Sequence, residues 1–348
     1  MTSQFKRTWS YWEPIYSPAT NFDKFKEFDW NFQNVSAVKN LYCQAKNLEL
    51  LIEKSSRFKI KNFKFESCDF VGDFNFTKIT FADCTFEDCD LGDNIWVNAK
   101  FSKCHFTNCS FSTVTFKSSQ FIECQWKNIG ISSNEMHFIN CLLTNPNKFI
   151  AAAYTNTDKE IISQRAQATP AYQKSRLEGT KAKAARMILS NLQLVGDDDA
   201  FYDAVKCYTT QVLVAKIFAL KQKIESNPSH TKLITYTLLI IGLHLELIIL
   251  TLSGHINGWG SSVGRSAGFG LFIATIFTCI YYIFNIATTL PLSVLTSLEI
   301  TLLVGYTKYS TDKLPLLHQY LFALNMLLGV WWYSIFIPTV VNRINRVN

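Results

Sequence analysis

The sequence predicts a mixed membrane protein in three parts: a four-sided β-coil, a helical connector and an α-helical membrane portion. Three observations predict it. Large apolar residues recur at every fifth position through the first half of the chain. Charge is then lost: residues 233–253, 267–292 and 314–341 contain one acid, Glu246, and no Lys or Arg. These runs of 21, 26 and 28 residues match or exceed the ~20 needed to cross a bilayer. Between the last two runs lies a Val-Gly-Tyr tripeptide. A fully soluble protein is excluded, and so is a wholly disordered one, because 48% of the 348 residues are hydrophobic. No signal peptide is expected, since Met1 to Trp30 mix charges with aromatics and lack an apolar centre.

The N-terminal part, residues 1–57, carries Trp9, Trp12 and Trp30 and reads as a cap region with a helix near 37–54. The five-residue period follows. Phe76, Phe81, Phe86, Leu91, Trp96, Phe101, Phe106, Phe111, Phe116, Phe121, Trp126 and Ile131 form an unbroken series of twelve. Ile60, Phe65 and Phe70 precede it one residue out of phase. Two residues before the large position the side chain is small: Cys68, Cys84, Cys89, Cys104, Cys109, Cys124, Cys141, Ala99 and Ser119 all fall there. Five fits neither the 3.6-residue helix nor the two-residue strand. It fits a coil of four short sides, each turning one large and one small residue inward.

The units CTFED, CDLGD, AKFSK, CHFTN, CSFST and CQWKN resemble the pentapeptide-repeat family over residues 58–143. That resemblance implies a right-handed, four-sided β-helix of about four coils, ~20 Å tall at a ~4.8 Å strand spacing. Seven of the ten cysteines occupy the small inward slot, where a free thiol packs as a compact hydrophobe. No zinc is expected, because a five-residue step lacks the short knuckle spacing and no His cluster accompanies it. Reduced, buried thiols point to the cytosol. Some relatives mimic DNA, which requires a strongly acidic face. Residues 58–143 hold ten acids against eight bases, so neither that role nor a nucleic-acid partner is expected.

From 144 to 232 the pattern becomes helical and basic. Ala171–Leu194 reads as one helix, stopped at Gly196, and Asp197–Asp199 offer N-caps for a second over about 200–224.

The run 267–348 holds a span, a short amphipathic segment, Val-Gly-Tyr and a second span. This resembles the two-transmembrane pore-loop potassium-channel module, whose filter reads Thr-Val-Gly-Tyr-Gly-Asp. The resemblance implies a selectivity filter at Leu303, Val304, Gly305, Tyr306 and Thr307. It places Glu299 on the pore helix, Lys308 at the mouth and gating hinges at Gly329 and Pro338. Irregular backbone within a membrane is tolerated where protein or water satisfies it, and rings of carbonyls can replace an ion's hydration shell. Leu303, Thr307 and Lys308 depart from the family pattern, which implies altered selectivity, and a Glu299–Lys308 ion pair would replace a family contact.

Residues 233–253, with His244 and Glu246 inside them, read as an interfacial or extra membrane helix. Lys216, Lys221, Lys223 and Lys232 before this segment, and Arg343 and Arg346 at the tail, favour the cytosol. The expected whole is a homotetrameric, multi-pass channel in a bacterial inner membrane, with the repeat domain cytoplasmic and meeting a protein or ligand there. No cofactor is expected; the cargo is monovalent cations, K+ among them. A membrane-anchored scaffold with a vestigial pore is the alternative. No phosphate-binding loop or nucleophile motif supports an enzyme.

Overall fold

The computed structural model describes residues 26–30, 35–45, 48, 51, 57–70, 75–92, 94–132, 135–154, 169–226, 228–304 and 315–347. The chain divides into two compact units, Met1–Leu247 and Ile248–Asn348.

The first unit begins as a parallel β-solenoid of about four turns. Three faces are parallel sheets, and the fourth is a line of single bridges through Tyr42, Asp69, Asp90, Ser110 and Gly130. Phe81, Phe101 and Phe121 stack on one face, and Phe86, Phe106 and Trp126 on the next. Because every coil repeats the same register, the rings stack nearly parallel. Centroids lie 5.2 Å apart for Phe81–Phe101, 4.8 Å for Phe101–Phe121 and 4.6 Å for Phe106–Trp126. The phase slip after Phe70 leaves this register intact, since Ile60 still pairs with Phe81 and Phe65 with Phe86.

Corners are made by residues two places after the inward aromatic. Asp83, Asp88, Asn98, Lys103, Asn108, Ser118, Glu123 and Asn128 all take φ between 50° and 55°. Asn and Asp adopt this left-handed region most readily. At one corner their side chains also form a ladder. Asn108 donates to Asp88 at 3.0 Å and Asn128 to Asn108 at 3.3 Å.

The inward thiols hydrogen-bond between coils. Cys104 Sγ donates to the Phe81 carbonyl at 3.5 Å, Cys109 to Phe86 at 3.4 Å and Cys124 to Phe101 at 3.4 Å. Ser119 fills the same slot and donates to Trp96 O at 3.2 Å. Burial pushes the Cys43, Cys89 and Cys141 thiols up from their ordinary pKa. All ten cysteines are free, with Cys279 the exposed one.

The ends of the solenoid are closed differently from the sequence expectation. In place of a helix from 37, Ala37–Lys39 form a strand on Lys64–Glu66, with Val38 over Phe65. Pairing with an existing edge outweighs the weak local helix preference. Phe28 and Trp30 are buried at this end, edge-on to each other and to Phe65 and Phe76 respectively. At the other end, helix α1 (Pro146–Ala151) lays Phe149 on Phe111, Trp126 and Phe138.

Helix α2 (Pro170–Val195) then brings in Asn191, whose amide pairs with the backbone of Cys141. Its Oδ1 accepts from Cys141 N at 2.9 Å and its Nδ2 donates to Cys141 O at 2.5 Å. Gly196 ends α2 with φ of 80°, the left-handed position that glycine takes without a Cβ penalty. Asp197 caps α3 (Asp198–Glu225) by accepting from Ala200 N at 2.8 Å. Between these helices Glu178 is buried against Lys174 and Lys181, and burial holds Lys181 below the usual lysine pKa.

Helix α4 (His230–Asn257) is uninterrupted over 28 residues, roughly 42 Å at 1.5 Å per residue. The segment expected to be an interfacial or extra membrane helix is long and apolar enough to cross a membrane. So are α5 (Val263–Ile283) and α7 (Leu316–Val347), which makes three such helices among the described residues.

Candidate functional site

Within the second unit a short helix, α6 (Leu290–Thr301), lies against α5 and α7. Its pattern is inside-out relative to a soluble helix. Ser293, Thr296, Ser297, Ile300 and Thr301 are buried, whereas Leu290, Leu292, Val294 and Leu295 are exposed. Small and hydroxyl-bearing residues at such a contact let helices approach and hydrogen-bond where lipid supplies no hydrophobic drive. Ser297 Oγ donates to Ala274 O on α5 at 2.7 Å.

The end of α6 is held from all sides. Thr301 Oγ1 lies 2.9 Å from Asn325 Oδ1, to which it donates. The Asn325 amide donates to Tyr281 OH at 2.9 Å. Tyr281 and Asn325 are completely buried and Thr301 nearly so, which makes this a polar triad drawn from three helices. One turn beyond Asn325, Gly329 faces the Thr301 carbonyl. A Cβ at Gly329 would stand 2.5 Å from that oxygen, so only glycine permits the approach. Tyr333 OH donates to Leu302 O at 3.3 Å, and Trp332 Nε1 to Ser266 O at 2.7 Å.

The chain leaves α6 through a Schellman turn. Leu303 N donates to Ile300 O at 3.1 Å and Val304 N to Glu299 O at 3.0 Å, with Leu303 at φ 58°. An L-residue in this left-handed position is disfavoured by about 1–2 kcal/mol. Leu303 and Val304 are exposed, Val304 by 78%. Glu299 is half-buried on α6. The expected filter residues Gly305, Tyr306 and Thr307 and the mouth residue Lys308 lie outside the described residues, as does any Glu299–Lys308 pair. Gly329 sits in the interior of α7 as a packing glycine, and α7 runs on through Pro338.

Tyr281, Ser297, Thr301 and Asn325 are site residues that the sequence reading did not single out. A signal was available in Asn325, an amide deep within the uncharged run 314–341. Two further bonds tie the end of α4 to α7: Trp331 Nε1 to Ser253 Oγ at 3.3 Å and Asn257 Nδ2 to Thr339 Oγ1 at 3.0 Å. Among the described residues no group of three or more His, Cys, Asp or Glu could hold a metal ion.

Comparison with protein-family models returned no match, and no curated protein matches the chain either.

Proposed function

We propose that copies of this chain, four around one axis, form a cation channel in which α5 and α7 span the membrane and α6 is a re-entrant pore helix. What carries the proposal is α6. Its 12 residues reach roughly 18 Å, short of the ~30 Å hydrocarbon core. Yet it is docked by a hydroxyl face between two helices long enough to cross. It ends at Thr301, three residues short of Gly305-Tyr306, the dipeptide whose carbonyls would line the ion path. The C-terminal end of a helix carries a partial negative charge, which favours a cation there. The solenoid would act as a cytosolic sensor or docking domain for the pore.

The test is single-channel recording of the purified protein in planar bilayers. Gly305→Ala should abolish current while leaving expression and assembly intact. Leu303→Thr with Thr307→Gly should move the reversal potential toward that of K+. Equal currents in wild type and Gly305→Ala would remove this loop from the conduction path. The second reading, a membrane-anchored scaffold with a vestigial pore, is favoured by Leu303, an apolar side chain at φ 58° where the family carries a hydroxyl. An absence of current from a folded oligomer would select it.

A further inference from the structure

We propose that one face of the solenoid is a phosphate-binding site, in which Lys59 and Lys100 clamp a phosphate dianion and the Thr80 hydroxyl donates to one of its oxygens. All three residues belong to the first unit, so the inference concerns that unit alone and stands whether or not the chain conducts ions. It names a chemical class of ligand for the solenoid.

The register sets the three residues in line. Lys59 and Lys100 each pair with Thr80, one from the coil on either side. Ile60, Phe81 and Phe101 are buried in the core, so by the alternation of a strand Lys59, Thr80 and Lys100 point outward. Together with Arg57, Ala82 and Ser102 they line a cleft of about 320 Å³. Two strand spacings, ~9.6 Å, separate the two lysine backbones. Each ammonium stands on a flexible four-carbon stem, so both can converge above Thr80.

Charge distinguishes this face from its neighbour. Its outward positions from Lys59 to Ile122 hold three lysines and no acid. Neither Lys59 nor Lys100 makes an ion pair among the described residues. On the next face the lysines are already neutralised. Lys64 lies 3.4 Å from Glu66 and 2.7 Å from Glu87, and Lys39 also pairs with Glu66. Uncompensated cations on one rigid surface raise the local concentration of anions.

Thr80 supplies a second, independent observation. It is only 7% exposed, and its hydroxyl has no hydrogen-bond partner among the described residues. Buried hydroxyls are ordinarily paired. Thr80 lines the cleft between two lysine stems, so this hydroxyl is a donor within reach of an acceptor held there. A tetrahedral dianion fits the set best. Its oxygens point in several directions, and separate ones can accept from each ammonium and from the hydroxyl. A carboxylate offers two oxygens in one plane and a single charge, a shape suited to a guanidinium fork. The phosphate of a soluble ion or ester and that of a lipid headgroup present the same chemistry to these residues.

The experiment reads lysine acetylation by mass spectrometry on the full chain in phosphatidylcholine nanodiscs. Lys127 and Lys148, exposed and outside the cleft, are the internal references. A soluble source predicts that inorganic phosphate, against chloride at equal ionic strength, slows acetylation of Lys59 and Lys100 saturably and spares the references. A headgroup source predicts that protection in discs containing phosphatidic acid and none from the inorganic ion. Protection in both arms supports the site for either source. In whichever arm protects, Thr80→Val should raise the phosphate needed for half protection about tenfold, the size of one hydrogen bond to a charged group. Valine keeps the shape, and the hydroxyl it removes bonds nothing in the fold. Thr80→Ser, which keeps a hydroxyl, should stay within about twofold of the native chain. Equal protection by chloride, protection spread over Lys127 and Lys148, or a midpoint unmoved by Thr80→Val would overturn the inference. So would an absence of protection in both arms.

Discussion

Replacing Asn191 by Leu tests how the solenoid ends. The last complete coil presents the backbone of Cys141 with no further strand to pair it, and the Asn191 amide fills both vacancies, at 2.9 Å and 2.5 Å. Cys141 is fully buried and Asn191 is 7% exposed, so water does not replace the lost amide. Leucine keeps the branching at Cγ but leaves one N–H and one C=O orphaned, each costing about 1–3 kcal/mol. The expected destabilisation is therefore about 2–6 kcal/mol, concentrated in the final coil. Hydrogen exchange read by mass spectrometry on the detergent-solubilised full chain resolves that location. Amides of residues 137–144 should exchange faster by a factor of about 30 or more, since each 1.4 kcal/mol is tenfold. Amides around Phe81 and Phe86, two to three coils away, should change little. Unchanged exchange at 137–144 would refute the claim that a side-chain amide substitutes for a missing coil.

Phe106→Asp should unfold the solenoid, because an unpaired charge placed between the Phe86 and Trp126 rings costs several kcal/mol; circular dichroism should record loss of the β signal. Cys104→Ser should shift stability by less than about 1 kcal/mol in chemical denaturation, since Ser119 already serves as donor in the equivalent slot. Gly329→Ala drives a methyl against the Thr301 carbonyl and should lower the thermal stability of the membrane unit by about 1–3 kcal/mol. An unaltered melting profile for Gly329→Ala would show that α6 and α7 do not approach so closely.

The solenoid was legible in the sequence because its period maps directly onto its geometry. One five-residue unit is one side, and the inward Phe and Cys follow without knowledge of distant residues. The α2–α3 turn was legible for a similar local reason, in that Gly196 and Asp197 stop and start helices by their own chemistry. Residues 37–39 carry no such period, and their strand exists only because Lys64–Glu66 offers an open edge. Asn191 lies 50 residues from the backbone it caps, and the Tyr281–Asn325–Thr301 triad draws on three helices. Neither spacing nor composition encodes those meetings. For the pore, the order of span, short helix and tripeptide was visible, whereas the inverted hydroxyl face of α6 emerged only from its packing.

The constant register of the coils makes the solenoid a ruler. Each central turn, as from Phe81 to Phe101 or Phe101 to Phe121, consumes 20 residues and returns the chain to the same corner one strand spacing higher. Duplicating or deleting one such block would therefore move the far end by ~4.8 Å without exchanging inward for outward residues. Both closures, the aromatic plug around Trp30 and the Asn191 clamp, would meet the same kind of edge as before. Length in this part of the protein can change in whole steps while the fold stays constant, each added coil contributing its own stacking interface.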